Sequence, residues 1–286
     1  MDPRRPPHVA QVSFFLDPQG RTPAQMLADW PSLVDVAEAA RHGGARVTVV
    51  QASSSTAARF ERNGVDYRFV AVEPGQSSIA SGRALRDLLA RLDVDLFHVH
   101  GLGFVHDVAM LADLAPDVPM LLQDHASRPP RFWRRQAWRR MFDGAAAVAF
   151  CAREQAAPFV QAGLIGPRTD ILELPEAPAR FAPGDQAEAR RRTGLAGRPC
   201  VLWVGHLDPN KDPLTVLEGV SRAARRLPEL QLWCCFDQAP LLTRVRARIA
   251  RDPRLRDKVH LLGRVPHAEV EHLMRAADLF MLGSHR

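Results

Sequence analysis

The feature that most constrains the fold is a regular alternation of short apolar runs with longer segments of helical spacing. The runs are rich in Val, Ile, Leu and Phe, and helical patterns separate them. They predict strands near 8–16, 46–51, 67–72, 95–100, 118–122, 145–150 and 169–174. This alternation is typical of a parallel sheet that is covered on both faces.

A second series follows a stretch rich in proline and arginine, LPEAPARFAPGDQAEARRRTGLAGRP. We predict a linker there, at 179–198, between an N-terminal domain at 1–178 and a C-terminal domain at 199–286. The second series predicts strands near 200–204, 230–235, 258–262 and 278–282, with helices near 213–227, 239–250 and 267–276. The architecture predicted is α/β, with two Rossmann-like, doubly wound parallel-sheet domains and a cleft between them.

The C-terminal domain is expected to be incomplete, because no helix follows its last strand before the chain ends at GSHR. We therefore expect the chain to be a truncated form of a longer protein.

Composition argues against several classes of protein. The four cysteines form no CxxC pair, which favours buried thiols over a disulfide framework or a zinc knuckle. No apolar run approaches the roughly 18 residues of a membrane-spanning helix, and the run from Val9 to Leu16 favours a first strand over a signal peptide. We expect a cytoplasmic protein, soluble or peripheral at the inner face of the membrane. The GxGxxG and GxxxxGK[ST] motifs are absent, which argues against a nicotinamide dehydrogenase and a P-loop kinase.

One strand-to-helix turn, in VLWVGHLDPNKDPL, has features of an anion site. Asp212 and Pro213 are typical of an N-cap and a first helical residue, so the helix would begin beside the end of the strand. A helix N-terminus attracts anions, and Lys211 stands immediately before it. The alternative is an ordinary turn that binds nothing.

Three histidines mark the ends of two strands in the first domain. His98 and His100 share one face of their strand, and His125 ends the next strand after Asp124. Neighbouring strand ends would bring them to one rim of the sheet. A zinc site is one interpretation, and strand ends with satisfied hydrogen bonds are another.

The segment RPPRFWRRQAWRR holds six arginines and no acid, which equals the net charge of +6 of the whole chain. A helix over 133–142 would carry Trp133 and Trp138 on an apolar face and arginines on the other. A solvated surface helix that packs on the sheet is one interpretation. An interfacial helix at Arg128–Phe142 on anionic lipid is another, and nucleic-acid binding has no supporting motif.

Taken in order, several stretches resemble the retaining glycosyltransferases of family four, which have the GT-B fold. The stretches are DLFHVHG, LLQDHAS, AVAFCAREQAAPFVQAG, LELPEAPARFAP, VLWVGHLDPNKDPLTVLEGV and VHLLGRVPHAEVEHLMRAADLFMLGS. The resemblance covers nearly the whole chain. It implies sugar transfer from a nucleotide-sugar donor to a sugar or lipid-linked acceptor, with retention and without a cofactor or metal. A role in bacterial cell-envelope or glycan biosynthesis is expected.

The resemblance also implies roles for individual residues. Lys211 would bind the donor diphosphate, Gly205 would let the backbone approach it, and His206 fills the position of the family's arginine. His125 and His100 would form a catalytic wall beside the donor sugar. The other positions expected at the donor are Gly20, Arg264, Val265 and Ser284.

The chain departs from the family pattern at three places. CCFDQAP stands where the family has a Gly-x-Gly turn, Gly20 is alone in the first loop, and the family's paired glutamates would lie beyond Arg286. We therefore expect the chain as given to be inactive or weak. Two alternatives stay open: a metal-dependent hydrolase using His98, His100 and His125, and a catalytically weak transferase-like binding protein.

Overall fold

The computed structural model describes residues 5–73, 78–125, 127–175 and 181–285. The chain divides into two compact units, Met1–Pro178 and Ala179–Arg286. Among the described helices, none combines the length and the apolar character that crossing a bilayer requires.

The first unit is built on one eight-stranded sheet in the order β3-β4-β2-β1-β5-β6-β7-β8. Its strands are β1 (His8–Ser13), β2 (Arg46–Ser53), β3 (Ala58–Arg62), β4 (Val65–Ala71), β5 (Leu96–His100), β6 (Met120–Gln123), β7 (Ala147–Phe150) and β8 (Asp170–Glu173). All neighbouring pairs are parallel except β3 with β4. The seven predicted strands are present, and β3 is an addition.

The unpredicted strand β3 forms a hairpin with β4. The two residues of its turn, Asn63 and Gly64, both have positive φ, of 51° and 76°. An Asn-Gly pair is the preferred sequence for such a turn. The hairpin gives the parallel sheet one antiparallel edge.

Helices cover both faces of this sheet. They are α1 (Pro23–Asp29), α2 (Pro31–His42), α3 (Ser78–Leu89), α4 (Val105–Leu114), α5 (Arg135–Asp143) and α6 (Ala157–Gln161), with 3-10 turns at Phe132–Arg134 and Arg153–Ala156. Alternate residues of each central strand point to opposite faces. Val12 and Val50 therefore pack in the core on the side of α3 and α4, whereas Val47 and Val49 pack in the other core.

The second unit has a smaller parallel sheet in the order β11-β10-β9-β12. Its strands are β9 (Cys200–Val204), β10 (Gln231–Cys235), β11 (Val259–Gly263) and β12 (Leu279–Phe280). Its helices are α7 (Gln186–Thr193), α8 (Pro213–Ala223), α9 (Leu242–Arg251), α10 (Pro253–Arg256) and α11 (His267–Ala276). Val201 and Leu202 point into different cores on the two faces. The predicted α/β class with doubly wound parallel sheets is confirmed.

Part of the segment predicted as a linker is helical. Helix α7 lies within 179–198, and the Asp185 side chain caps it by accepting a hydrogen bond from the amide of Glu188. Arg192 forms an ion pair of 2.6 Å with Glu269 of α11. Residues 186–193 therefore belong to the second unit and are not part of a separate linker, as the prediction for 179–198 had it.

Both sheets have a topological switch point, where the connections from neighbouring strands leave in opposite directions. It lies between β1 and β5 in the first sheet and between β9 and β12 in the second. Ligands of open α/β sheets bind at the carboxyl ends of strands beside such points. These two places are therefore where a site is expected in each unit.

Candidate active site

A cavity of about 470 Å³ opens at the switch point of the first sheet. Its walls come from segments that follow or end β1, β2, β5 and β6, together with α2. The lining residues are Ser13, Phe15, Trp30, Ser32, Leu33, Gln51, His100, Gly101, Phe104 and His125. Aromatic walls with a few polar groups at the strand ends are typical of a small-molecule site.

The structure brings together the three histidines that the sequence placed on one rim. The ring of His100 lies between the other two, with its centroid 4.5 Å from that of His98 and 5.3 Å from that of His125. Nδ1 of His100 is 3.0 Å from Nε2 of His125, so the two rings share a hydrogen bond. His100 and His125 line the cavity, whereas His98 lies behind them and is 5% exposed.

Burial keeps the inner two imidazoles neutral. It lowers the pKa of His98 to about 4, although a hydrogen bond with Gln123 favours the charged form. Burial, together with the repulsion that the charged forms of His98 and His125 would exert, lowers the pKa of His100 well below 6.5. A neutral imidazole carries one N–H and one lone pair. The His100–His125 hydrogen bond therefore joins a donor nitrogen of one ring to an acceptor nitrogen of the other.

The contacts of these histidines bear on the metal-site interpretation. Within the described residues, no group of three or more His, Cys, Asp or Glu side chains could hold a metal ion. The rings of His100 and His125 are stacked at 15° and bond directly to each other. The lone pair of the accepting ring is therefore engaged by the other ring, and this arrangement does not favour the metal-dependent hydrolase interpretation.

A layer of buried polar groups, which was not predicted from the sequence, surrounds the histidines. Gln11 pairs in register with His98, and His100 pairs with Gln123, so these side chains share one face of the sheet. Both amide atoms of Gln11, Nε2 of His98, Nε2 of His100 and Oε1 of Gln123 have no hydrogen-bond partner among the described residues. Buried polar atoms normally have partners, so this layer has capacity for water or ligand groups.

In the second unit, the turn after β9 places a lysine at the switch point. Asp208 organises the turn by accepting a hydrogen bond of 2.8 Å from the amide of Lys211. The aliphatic stem of Lys211 passes over Gly205, where an added Cβ would lie 3.6 Å from Cγ of the lysine. Within the described part of the chain, no carboxylate lies within ion-pair distance of Lys211 Nζ. Its ammonium is therefore available to an anionic ligand.

The N-terminus of α8 already carries a carboxylate. Asp212 accepts hydrogen bonds from the amide of Thr215 at 3.2 Å and from its hydroxyl at 2.7 Å, which hold the pKa of Asp212 below its usual value. Nε2 of His285 lies 3.2 Å from the same carboxyl group. The predicted cap is confirmed, and the Asp212 carboxylate engages the amide of Thr215 in the first turn of the helix. Lys211, and not the helix, is then the main positive group of the turn.

Other residues predicted at the donor follow the ends of neighbouring strands. Nδ1 of His206 accepts a hydrogen bond of 3.3 Å from the amide of Gln238. Arg264 is exposed and lies 3.9 Å from Asp237, and Oγ of Ser284 is buried without a partner in the described residues. His206, Arg264 and Ser284 therefore lie at the carboxyl edge of the second sheet.

The two remaining residues predicted at the donor, Val265 and Gly20, lie in different units. Val265 follows β11 with a half-buried side chain that packs against the core beside α7 and α11. Gly20 lies in the first unit, after β1, with φ of 65° in a turn where its amide donates to the carbonyl of Asp17. Positive φ at Gly20 is the property that favours glycine there.

The arginine-tryptophan segment differs from the helix predicted over 133–142. Helix α5 begins at Arg135, and Trp138 is buried under it. Phe132 and Trp133 precede it in a 3-10 turn and are 76% and 60% exposed. The prediction that Trp133 shares the apolar face of one helix with Trp138 was wrong, because the chain forms a 3-10 turn over Phe132–Arg134 before α5 begins. The guanidinium of Arg131 lies 5.3 Å from the Trp133 ring centroid.

Known proteins share the sequence pattern of this chain. Residues 32–170 match the family described as Glycosyltransferase Family 4. A D-inositol 3-phosphate glycosyltransferase of Nocardia farcinica is 32% identical over 124 residues, which are 41% of this chain and 28% of the relative. A GDP-mannose-dependent phosphatidylinositol monomannoside mannosyltransferase of Mycolicibacterium smegmatis is 30% identical over 152 residues, which are 52% of this chain and 39% of the relative. The matched stretches thus span less than half the length of these two relatives.

Solved structures share the fold over nearly the whole chain. HepE of Anabaena, crystallised with UDP and glucose, superposes with a TM-score of 0.67 at 18% identity, covering 96% of this chain and 74% of that protein. A UDP-forming trehalose-phosphate synthase of Burkholderia vietnamiensis gives a TM-score of 0.69 at 14% identity, covering 98% and 79%. The predicted arrangement of two Rossmann-like units in one chain is confirmed by these likenesses.

Proposed function

We propose that this chain, whose residues 32–170 match the family described as Glycosyltransferase Family 4, transfers a sugar from a nucleotide-sugar donor to an acceptor hydroxyl with retention of configuration. The observation that carries the proposal is an ammonium group, Lys211 Nζ, with no carboxylate partner in the described residues at the switch point of the second sheet. A diphosphate needs such a cation, because charge develops on it as the glycosidic bond breaks.

The donor half-site lies at the carboxyl edge of the second sheet. Lys211 and Arg264 supply positive charge for the diphosphate, and Gly205 leaves room for the backbone to approach it. His206 takes the family's arginine position with a ring nitrogen that already accepts from Gln238, so its other nitrogen faces outward. Neutralisation of the leaving diphosphate is the part of catalysis that we assign to these side chains.

The acceptor half-site is the cavity at the switch point of the first sheet. His100 orients His125 through their shared hydrogen bond, and both rings line the cavity in which a sugar hydroxyl would bind. A reaction with retention needs no separate base here, because the departing phosphate oxygen takes the proton of the attacking hydroxyl on the same face. The names of the two curated relatives support a phosphorylated or lipid-linked polyol as the acceptor class.

Peripheral contact with an anionic membrane, on the cytoplasmic side, is a further part of this proposal. Phe132 and Trp133 project from a surface that bears Arg128, Arg131, Arg134 and Arg135 and no acid between them. Aromatic side chains with neighbouring cations are the combination that binds an anionic interface. A lipid-linked acceptor would be reached from such a position.

Sedimentation with vesicles tests this contact. With anionic vesicles, the wild-type protein is expected to sediment, and Trp133→Ser is expected to remain in the supernatant. Val160→Ser, which changes another exposed apolar residue of the first unit, is the matched control. Equal sedimentation of the two variants would contradict the contact.

Titration with nucleoside diphosphates tests the donor proposal. We expect UDP or GDP to bind the purified protein and Lys211→Ala to weaken that binding at least about tenfold, because a charge-assisted phosphate contact is lost. Lys258→Ala changes the chain's other lysine, whose ammonium donates to the carbonyl of Pro228, and serves as control. Absence of nucleotide binding, or equal weakening by both variants, would refute the donor role of Lys211.

A further inference from the structure

A second polar cleft lies at the opposite, amino edge of the first sheet and is unrelated to the proposed transfer site. It encloses about 600 Å³, a volume within the range of small-molecule sites. Its floor is formed by side chains of β1, β2 and β4 that share one face, since His8 pairs with Arg46, and Thr48 pairs with Asp66. Arg91, in the segment after α3, forms part of the wall.

Cations exceed anions among the residues that line this cleft. Five arginines line it, against three carboxylates, Glu61, Asp66 and Asp93. Asp66 is shared by two of the arginines, at 2.8 Å each, and Asp93 pairs with Arg5 at 2.9 Å. Arg46 and Arg91 have no carboxylate partner among the described residues. Two guanidinium groups thus face the cleft without an anionic partner there.

The nearest partner of the Arg46 guanidinium is His8, whose Nδ1 is also close to a second group. Nη2 of Arg46 lies 2.7 Å from Nδ1 of His8, which also lies 2.6 Å from the carbonyl oxygen of Asp93. One imidazole nitrogen either donates or accepts, so Nδ1 cannot bond both groups at once. If Nδ1–H donates to Asp93, the Arg46 guanidinium faces an N–H at His8 and keeps only a longer hydrogen bond, of 3.4 Å from Nη2, to the carbonyl oxygen of Asp93.

The imidazole of His8 is held in place by burial and by a contact of its other nitrogen. Its ring is 4% exposed, and Nε2 lies 2.9 Å from Oγ1 of Thr48. Burial, followed by the positive charges of Arg46 and Arg5, lowers the pKa of His8, while the Asp93 carbonyl and Asp95 oppose this. The imidazole is therefore neutral at pH 7 and supplies no charge to Arg46.

We propose that this cleft binds a small phosphate-bearing molecule through Arg46 and Arg91, as a site separate from that of the nucleotide-sugar. The planar guanidinium fork matches the oxygens of a phosphate group, and two forks suit a ligand with two phosphate groups or one phosphate with a second acidic group. A ligand held there stabilises the first unit by mass action, which gives the protein a means of responding to a phosphorylated metabolite.

Calorimetric titration with pyrophosphate tests the site at constant ionic strength. The titration is done in the Lys211→Ala variant, so that the proposed donor site makes little contribution. We expect one equivalent to bind, and Arg46→Ala or Arg91→Ala introduced into that variant to weaken binding at least about tenfold. Arg86→Ala, which changes an exposed arginine of α3 outside the cleft, is the matched control and is expected to leave binding unchanged.

Three outcomes decide the proposal. Loss of binding with Arg46→Ala but not with Arg86→Ala supports it. Absence of pyrophosphate binding, or equal weakening by both variants as in unspecific charge attraction, overturns it. UDP binding by Arg46→Ala alone is expected to equal that of wild type, and a parallel loss of UDP binding would overturn the separation of the two sites. Circular dichroism of each variant confirms that the comparison is between folded proteins.

Discussion

Replacement of Asp107 by asparagine should change how the stability of the first unit depends on pH. Asp107 lies in the first turn of α4, is 3% exposed and accepts a hydrogen bond from the amide of Gly82 in α3. Burial raises the pKa of its carboxyl group to about 6, although the Gly82 amide opposes the shift. The asparagine side chain would keep an amide oxygen for Gly82 but would not titrate.

The direction of the pKa shift of Asp107 determines whether stability rises or falls with pH. Because the folded-state pKa is above the unfolded value of 3.8, the native state holds more protons than the unfolded state between these values. Stability therefore rises as the pH falls through about 6. Between pH 7.5 and 5 the two pKa values give a gain of about 1.4 kcal/mol, which Asp107→Asn should remove.

His98, which is buried behind the cavity, affects the pH dependence of stability in the opposite direction to Asp107. The pKa of His98 is lowered to about 4 from 6.5, so its contribution to stability is complete above pH 6.5 and is lost as the pH falls toward 4. Between pH 7.5 and 5 the loss is about 2 kcal/mol. His100, with its pKa lowered in the same direction, adds to this loss. Wild type should thus lose less stability than Asp107→Asn by about 1.4 kcal/mol.

Native-state hydrogen exchange of the α4 amides measures this difference within the first unit. The exchange rates at pH 7.5 and 5 are corrected for the pH dependence of the chemical step and converted to opening free energies. Asp113→Asn, which changes an exposed carboxyl of the same helix, is the control. Equal pH dependence in wild type and Asp107→Asn would refute the reasoning, because it would mean that burial does not shift this carboxyl.

Three further substitutions or measurements test other contacts. Gly197→Ala should lower the free energy of unfolding in urea by about 1–3 kcal/mol, because φ is 128° there and the new Cβ would lie 2.8 Å from that of a neighbouring strand residue. Gly103→Ala, where a Cβ meets nothing within 4 Å, is its control, and equal effects would contradict the steric argument. Ser221→Ala should cost about 1–3 kcal/mol by the same assay, because its buried hydroxyl donates to Asp252 at 2.6 Å; a neutral change would count against that bond. Cys234 should resist a thiol reagent at pH 8 until the protein unfolds, since burial raises its pKa to about 12, and rapid reaction of the native thiol would refute this.

The strands were predictable because burial imposes a pattern on them. Each central strand of a parallel sheet is covered on both faces, so β1, β2 and β9 are buried along almost their whole length and carry Val, Leu and Ala at most of their core positions. β3 was not predicted because its sequence, ARFER, contains three charged residues and lies at an exposed edge of the sheet. Its Asn63-Gly64 turn was nevertheless visible in the sequence as a hairpin signal.

The site was predictable in position but not in detail. Topology alone brought His100 and His125 together, because the ends of β5 and β6 are neighbours. The hydrogen bond between their rings depends on rotamers, which a linear pattern does not contain. The same limit applies to Gln11, a polar residue in an apolar run whose side chain proved to lie beside His98. Asp212 was recognised as a cap, but its competition with an anionic ligand followed only from its contacts in the folded chain.

The position of Lys211 has a chemical consequence, because nearly all the other cationic side chains of this protein are arginines. Lys211 and Lys258 are its only two lysines. Primary amines react with aldehydes and active esters, whereas guanidinium groups do not under mild conditions. The Lys258 ammonium is engaged with a carbonyl oxygen, and the Lys211 ammonium has no carboxylate partner in the described residues. An amine-selective reagent would thus attach a fluorophore or spin label close to the strand end where the diphosphate is proposed to bind.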